Sequence, residues 1–351
     1  MNNTNSTDTQ SQKQTLWQRI TAGKGGSNVP MLVKVIFWLI VLAVLIVVTV
    51  ALYASVPVDG EPGLAIDVLE ELDFGWEVIK WIDSAVDWVV INGEPLFDGI
   101  KAIVLFILQP FETFLLWLPW WMVILVVVLA AWRMVNKWFA VIALFFMLYM
   151  VFMGLHDFAM MTLAIVITAT LLCVVVGVPI GIFAAKSERF DGFLRPVLDM
   201  MQTMPSFVYL IPALMLFGLG MTPAVMATCI YAIPPIVRLT NLGIRQVDTS
   251  VVEASRSFGA TMWQLLTKVQ VPLAMPTILA GLNQTVMMAL AMVVLASMIG
   301  ASGLGEEVLR GIARVEPGRG FIGGTAIVFT AILLDRISQG FAKTPETRQA
   351  T

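Results

Sequence analysis

Glu253-Ala254-Ser255-Arg256-Ser257-Phe258-Gly259, followed after nine residues by Val269-Gln270-Val271-Pro272, is a polar, glycine-punctuated stretch between long apolar runs. Two capping patterns divide it. Ser250-Val-Val-Glu253 and Thr261-Met-Trp-Gln264 each place a hydroxyl three residues before a carboxylate or amide, so that the two side chains satisfy orphan backbone N–H groups reciprocally. Gly259 lies between them and supplies the left-handed conformation that ends a helix. The spacing predicts helix, glycine turn, helix, with Pro272 and Pro276 leading back into an apolar run. The first helix offers small groups, Ala254, Ser255 and Ser257, that let another surface approach closely. Phe258 and Trp263 supply side chains able to fill a partner's groove. Taken singly, Glu253 reads equally as a cap, Gly259 as a helix end and Pro272 as a helix breaker; the ordered spacing is the specific part.

What surrounds the stretch sets the class. The chain has 351 residues, 58% hydrophobic and only 13% charged, with a mean hydropathy of +0.87. Soluble domains carry roughly twice that charged fraction. Long apolar runs recur where a β-barrel would show short alternating strands, so the expected fold class is an all-α polytopic membrane protein. About eight transmembrane helices are expected, near 35–55, 117–132, 138–154, 158–185, 204–221, 222–240, 276–299 and 320–338.

The organisation expected around them is a disordered tail at 1–34, an additional N-terminal transmembrane helix at 35–55, and an acidic extracytoplasmic segment at 56–116. A permease-sized transmembrane domain at 117–340 then contains the insert at 248–275, and a tail at 341–351 closes the chain. Between Asp59 and Asp98 lie eleven carboxylates and a single base, Lys80. Ile79, Trp81, Ile82, Val86, Val89 and Val90 recur there at helical spacing, which fits an amphipathic scaffold helix on the membrane surface. Orientation follows from the basic residues. With eight spans and the N-terminus inside, sixteen of the twenty-one lysines and arginines fall on one side, so both termini and the insert are expected in the cytoplasm.

Chemistry-bearing clusters are sparse. Cys173 and Cys229 both sit in apolar runs and read as packing residues. His156 beside Asp157 reads as an interfacial polar pair. Neither catalytic residues nor a metal site are expected, nor is nucleic acid as a partner. The sequence holds no Gly-x-x-x-x-Gly-Lys-Ser/Thr loop, so nucleotide chemistry is assigned elsewhere.

The Glu253–Pro272 spacing resembles the EAA motif of ABC-importer permeases: Glu-Ala-Ala, three residues, Gly, nine residues, Ile-x-Leu-Pro. Here Ser255 replaces the second Ala, and Val269 and Val271 replace Ile and Leu. Met200-Gln-Thr-Met-Pro205-Ser-Phe-Val-Tyr209-Leu-Ile-Pro212 and Val271-Pro-Leu-Ala-Met-Pro-Thr277 are similar to the glycine betaine/proline (ProW-type) branch, and the resemblance covers about residues 60–340. It implies a type I importer permease fold, in a homodimer seated on two ATP-binding-cassette ATPase subunits in the bacterial cytoplasmic membrane. ATP and Mg would be held by those partners and none by this chain, while an extracytoplasmic solute-binding protein would deliver the substrate. Glu253, Ala254, Ser255, Gly259 and Pro272 match the coupling motif, and Arg256 falls near the contact by spacing.

A zwitterionic quaternary amine needs aromatic faces for its ammonium and a few polar groups for its carboxylate. Asn283, Gln284 and Thr285 are polar groups inside an apolar run and read either as pathway or as interhelical hydrogen bonds. Phe207, Tyr209 and Tyr231 read either as pathway lining or as packing. Glu306, Glu307 and Arg310, after Gly300-Ala-Ser-Gly-Leu-Gly305, are candidates for an outer gate or a binding-protein contact. The function expected is therefore import of glycine betaine or proline-type solutes for osmoprotection. Choline, carnitine or an amino acid is the near alternative. An ion-coupled secondary transporter would need intramembrane carboxylates, and only Asp199 and Asp335 lie near span ends.

Overall fold

The computed structural model describes residues 42–44 and 75–342, and every regular element among them is helical. The tail at 1–34 and the bulk of residues 35–74 lie outside the described residues, as does the tail at 341–351 apart from its first two residues. The helices are α1 (Gly75–Trp117), α2 (Trp120–Met134), α3 (Lys137–Phe152), α4 (His156–Lys186), α5 (Glu188–Thr203) and α6 (Leu210–Phe217). They continue with α7 (Met221–Arg245), α8 (Thr249–Ser257), α9 (Met262–Leu265), α10 (Val271–Ala291), α11 (Val293–Ser297), α12 (Leu304–Ala313) and α13 (Pro317–Ala342).

Five stretches are long and apolar enough to cross a membrane: Trp76–Trp117, His156–Lys186, Met221–Arg245, Met262–Ala291 and Pro317–Gly340. Helix α5 with the segment Ser206–Phe217 makes a sixth only as a pair bent by 106°. Helices α2 and α3, of 15 and 16 residues, are apolar but short; at 1.5 Å per residue they reach about 23 Å, less than a hydrocarbon core of about 30 Å. By length and hydropathy the described residues thus give five or six spans, against the eight expected from the apolar runs. The expected span at 35–55 lies outside the described residues, α2 and α3 are short, and two further segments depart from expectation. The segment expected as a surface scaffold ends in α1, whose apolar C-terminal half buries Val104 and Leu108. The run expected to cross at 204–221 is a 3-10 turn, Ser206–Tyr209, followed by the eight-residue α6.

Helix α5 is amphipathic and is riveted to α7 by charge. The buried Asp191 accepts from Arg195 at 2.5 Å and from Asn241 at 2.6 Å, and it pairs with Arg245 at 3.3 Å. Arg238 pairs with Asp199, and Arg245 also pairs with Glu188. Where the chain turns out of α5, the Tyr209 hydroxyl donates to the Met201 carbonyl at 2.5 Å and pins the bend.

The interior is built from three apolar clusters. One joins α1, α4, α6 and α7 around Leu108, Ile165, Tyr209 and Val225. A second joins α2, α3, α4 and α13 around Ile124, Met147, Met160 and Leu333. The third joins α4, α7 and α10 around Cys173, Ile236 and Ile278. The glycine-rich Gly300–Gly305 turn is tied near both ends: Gly220 N–H donates to the Ile299 carbonyl at 2.9 Å, and Leu304 N–H to Thr162 Oγ1 at 2.8 Å. The expected pair between His156 and Asp157 does not form, since neither ring nitrogen of the histidine has a hydrogen-bond partner among the described residues.

Candidate coupling site and translocation pathway

The first helix of the insert is capped by Asp248, not by Ser250. Asp248 is the N-cap of α8 and its carboxylate accepts from Ser250 N–H at 2.8 Å. A carboxylate at that position satisfies an orphan donor and faces the positive end of the helix, so it displaces the serine cap that the sequence pattern offered. That backbone bond from Ser250 holds the Asp248 carboxyl below the usual carboxylate range. At its other end α8 closes with a complete Schellman motif: Gly259 N–H bonds to the Arg256 carbonyl at 2.9 Å and Ala260 N–H to the Ser255 carbonyl at 3.1 Å. Gly259 takes φ +81°, the left-handed region that glycine enters freely.

The second capping pattern forms as read. Gln264 N–H donates to Thr261 Oγ1 at 3.3 Å, and Thr261 N–H to Gln264 Oε1 at 2.9 Å. Helix α9 passes through a π turn, Leu266–Gln270, directly into α10. Pro272 therefore lies inside a continuous helical rod and does not break it. Proline cannot donate to the carbonyl four residues back and crowds it, and a widened turn just ahead relieves that conflict.

No residue of α8 is buried, whereas Leu265 and Leu266 are, so the insert is rooted by its second helix and presents its first. Glu253, Ala254, Arg256, Gly259 and Pro272 are exposed and Ser255 is half-buried. Among the described residues no ion pair engages Glu253 or Arg256. Ser255 and Ser257 donate back to the carbonyls of Val251 and Glu253 at 2.8 and 3.0 Å, so their hydroxyls are already bonded within the helix. What α8 offers is a smooth surface of small residues flanked by one acid and one base. Phe258 is 92% exposed and Trp263 71% exposed, and neither stacks on another ring among the described residues. Met262, within the capping box, is also 64% exposed.

The pathway candidates do not converge. Tyr209 and Tyr231 meet, with ring centroids 5.9 Å apart. Phe207 is exposed, and so is Gln284. Thr285 is fully buried and its hydroxyl has no partner among the described residues. Asn283 is engaged with α13: it donates to Asp335 at 2.8 Å and accepts from Ser338 at 2.5 Å, while Gln339 donates to Asp335 at 2.7 Å. Of the two readings the sequence left open for Asn283, the geometry is that of an interhelical hydrogen bond.

Glu306, Glu307 and Arg310 are brought together, and with them Arg319, which the sequence reading did not single out. Arg310 pairs with both glutamates, and Arg319 bonds Glu307 through two nitrogens at 2.7 and 3.1 Å. The Arg319 guanidinium holds the buried Glu307 carboxyl below its usual range. A lowered folded value contributes stability above the unfolded carboxylate pKa, and that contribution is lost as pH falls through the folded one. Glu307→Gln is therefore expected to lower stability at pH 7 by about 1–2 kcal/mol, discounted for the partly exposed arginines. Thermal unfolding in detergent should show the difference from wild type shrinking below about pH 4; a pH-independent difference would contradict the assignment.

Comparison with known proteins follows the same lines. The sequence profile described as "Binding-protein-dependent transport system inner membrane component" matches residues 177–345, which include the whole insert. The chain is 49% identical over 269 residues to the glycine betaine/proline betaine transport system permease protein ProW of Escherichia coli K12, covering 77% of this chain and 76% of that protein. It is 48% identical over 270 residues to the glycine betaine/carnitine transport permease protein GbuB of Listeria monocytogenes, covering 75% of this chain and 95% of that one. To the glycine betaine transport system permease protein OpuAB of Bacillus subtilis it is 42% identical over 267 residues, with 76% and 95% covered. With a helical membrane domain and an identity of this extent, the chain belongs to the binding-protein-dependent transport system inner membrane components, the permeases of ABC importers.

Proposed function

We propose that this chain imports glycine betaine and related betaines as the permease subunit of an ATP-driven transporter. The observation that carries the proposal is the insert: two capped helices about a left-handed glycine, the first of them with no buried residue, in a chain with no phosphate-binding loop of its own. Glu253, Ala254, Ser255, Arg256, Gly259 and Pro272 form the transmission surface, and Phe258 with Trp263 fills a groove of the ATPase. ATP and Mg are held by that partner. Two copies of this chain assemble with two ATPase subunits, and a solute-binding protein outside the membrane supplies substrate. Both termini and the insert face the cytoplasm in this reading, which the clustering of basic residues in and around the tails and the insert supports.

The half-buried Tyr231, packed against the core residue Tyr209, supplies an aromatic face for a quaternary ammonium, the group common to betaines. ProW carries proline betaine in its name rather than proline, so betaines take precedence over the amino acid as substrates. Carnitine is the second reading, because it appears in the name of GbuB at nearly the same identity. Uptake of labelled glycine betaine by vesicles containing the transporter, challenged with excess proline betaine, carnitine, choline or proline, tests the assignment. Proline betaine should compete fully and choline weakly; preferential competition by choline would reassign the substrate.

A further inference from the structure

The chain has two cysteines, 56 residues apart, and the fold sets them against each other. Cys173 Sγ on α4 lies 3.5 Å from Cys229 Sγ on α7, and the Cys173 thiol also donates to the Cys229 carbonyl at 3.3 Å. Both are buried. The two helices are held at this range by close backbone contact one and two turns away. A Cβ at Gly177 would lie 2.6 Å from Ile236 Cγ2, and one at Gly181 would lie 2.7 Å from the Val237 carbonyl oxygen. Just beyond Cys229, Pro234 and Pro235 remove two intrahelical donors, which frees the carbonyls of Ile230 and Tyr231 and makes α7 bend most readily there.

We propose that Cys173 and Cys229 form an oxidisable dithiol, which a small neutral two-electron oxidant converts into a disulfide tying α4 to α7 and slowing transport. The reaction balances simply. Both S–H bonds break, one S–S bond forms, and two protons and two electrons pass to the oxidant; with an azo compound such as diamide, the N=N bond becomes HN–NH. The sulfurs need to close from 3.5 Å to about 2.05 Å. Helices already in contact at Gly177 and Gly181 cannot move closer, so rotation of the two side chains supplies the approach. The bond then fixes the segment of α7 ahead of its prolines to α4 and arrests any transport step that turns that segment about the break. The effect on transport rests on the importer reading above; formation of the bond does not.

The full chain, assembled with its ATPase and binding protein in liposomes, is treated with diamide, denatured in detergent, and its thiols are counted by N-ethylmaleimide capture and intact mass. The reduced chain should take up two maleimides, the oxidised chain none, and dithiothreitol should restore two; Cys229→Ser should take up one throughout. Two captured maleimides after saturating diamide, or a disulfide-linked dimer on a non-reducing gel, would overturn the site. Oxidation should slow uptake about tenfold, reversibly, and leave the Cys173→Ala/Cys229→Ala double variant unaffected. Full oxidation with unchanged uptake would overturn the effect on transport, whereas absence of uptake by the untreated, reduced assembly would count against the importer reading alone.

Discussion

Gly259→Asp is expected to cut solute uptake at least a hundredfold while leaving the amount of chain in the membrane unchanged. The structure separates these two effects. A Cβ at Gly259 meets nothing within 4 Å, so the substitution displaces no neighbour within the chain. Its φ of +81° is strained for most residues, but Asp and Asn enter that region at a cost of only about 1 kcal/mol. On the proposed coupling role, the loss arises at the contact of α8 with the ATPase, where burying an unpaired carboxylate is strongly unfavourable. Gly259→Asn provides the comparison, with similar shape and no charge, and should retain more uptake. Membrane content by immunoblot and uptake by labelled solute are the two readouts; wild-type uptake in Gly259→Asp would remove the coupling role of the insert.

Gly305→Ala is expected to have the opposite profile, losing the protein itself. Gly305 opens α12, and a Cβ there would lie 2.2 Å from the Val293 carbonyl oxygen and 2.9 Å from Val294 Cα. Those are backbone atoms of α11 and cannot rotate away, so the two helices must separate. Their separation would also disturb the Leu304 N–H bond to Thr162 that closes the turn. Overpacking against backbone costs about 3 kcal/mol or more, enough to lower steady-state abundance several-fold. Gly324→Ala is the matched control: it lies in α13 with nothing within 4 Å of the added carbon, and should be neutral or mildly stabilising. Equal membrane levels of the two variants would show that the α11–α12 contact is looser than described.

The insert was the most legible part of the chain because local rules govern it. Caps, a left-handed glycine and exposed aromatics are written in adjacent residues, and the Thr261–Gln264 box and the Gly259 turn follow from the sequence alone. Asp248 was overlooked because two hydroxyl caps follow it, and only the geometry shows which side chain reaches the free N–H. Spans were less legible. An apolar run such as 204–221 fixes burial but not direction, and the bend at Pro205, held by Tyr209 on Met201, turns it away from a straight crossing. The pairing of Glu307 with Arg319, of Asn283 with Asp335 and of Cys173 with Cys229 depends on helix contacts between distant residues, which no periodicity encodes.

The central claim is that this chain moves solute only when a separate ATPase, docked on the insert, hydrolyses ATP. Glycine betaine uptake into liposomes containing the chain, its ATPase and its binding protein measures this directly, with ATP or a non-hydrolysable analogue enclosed on the ATPase side. Accumulation against a gradient with ATP, and none with the analogue or with Gly259→Asp, is the predicted result. Accumulation driven by an ion gradient without ATP would contradict it.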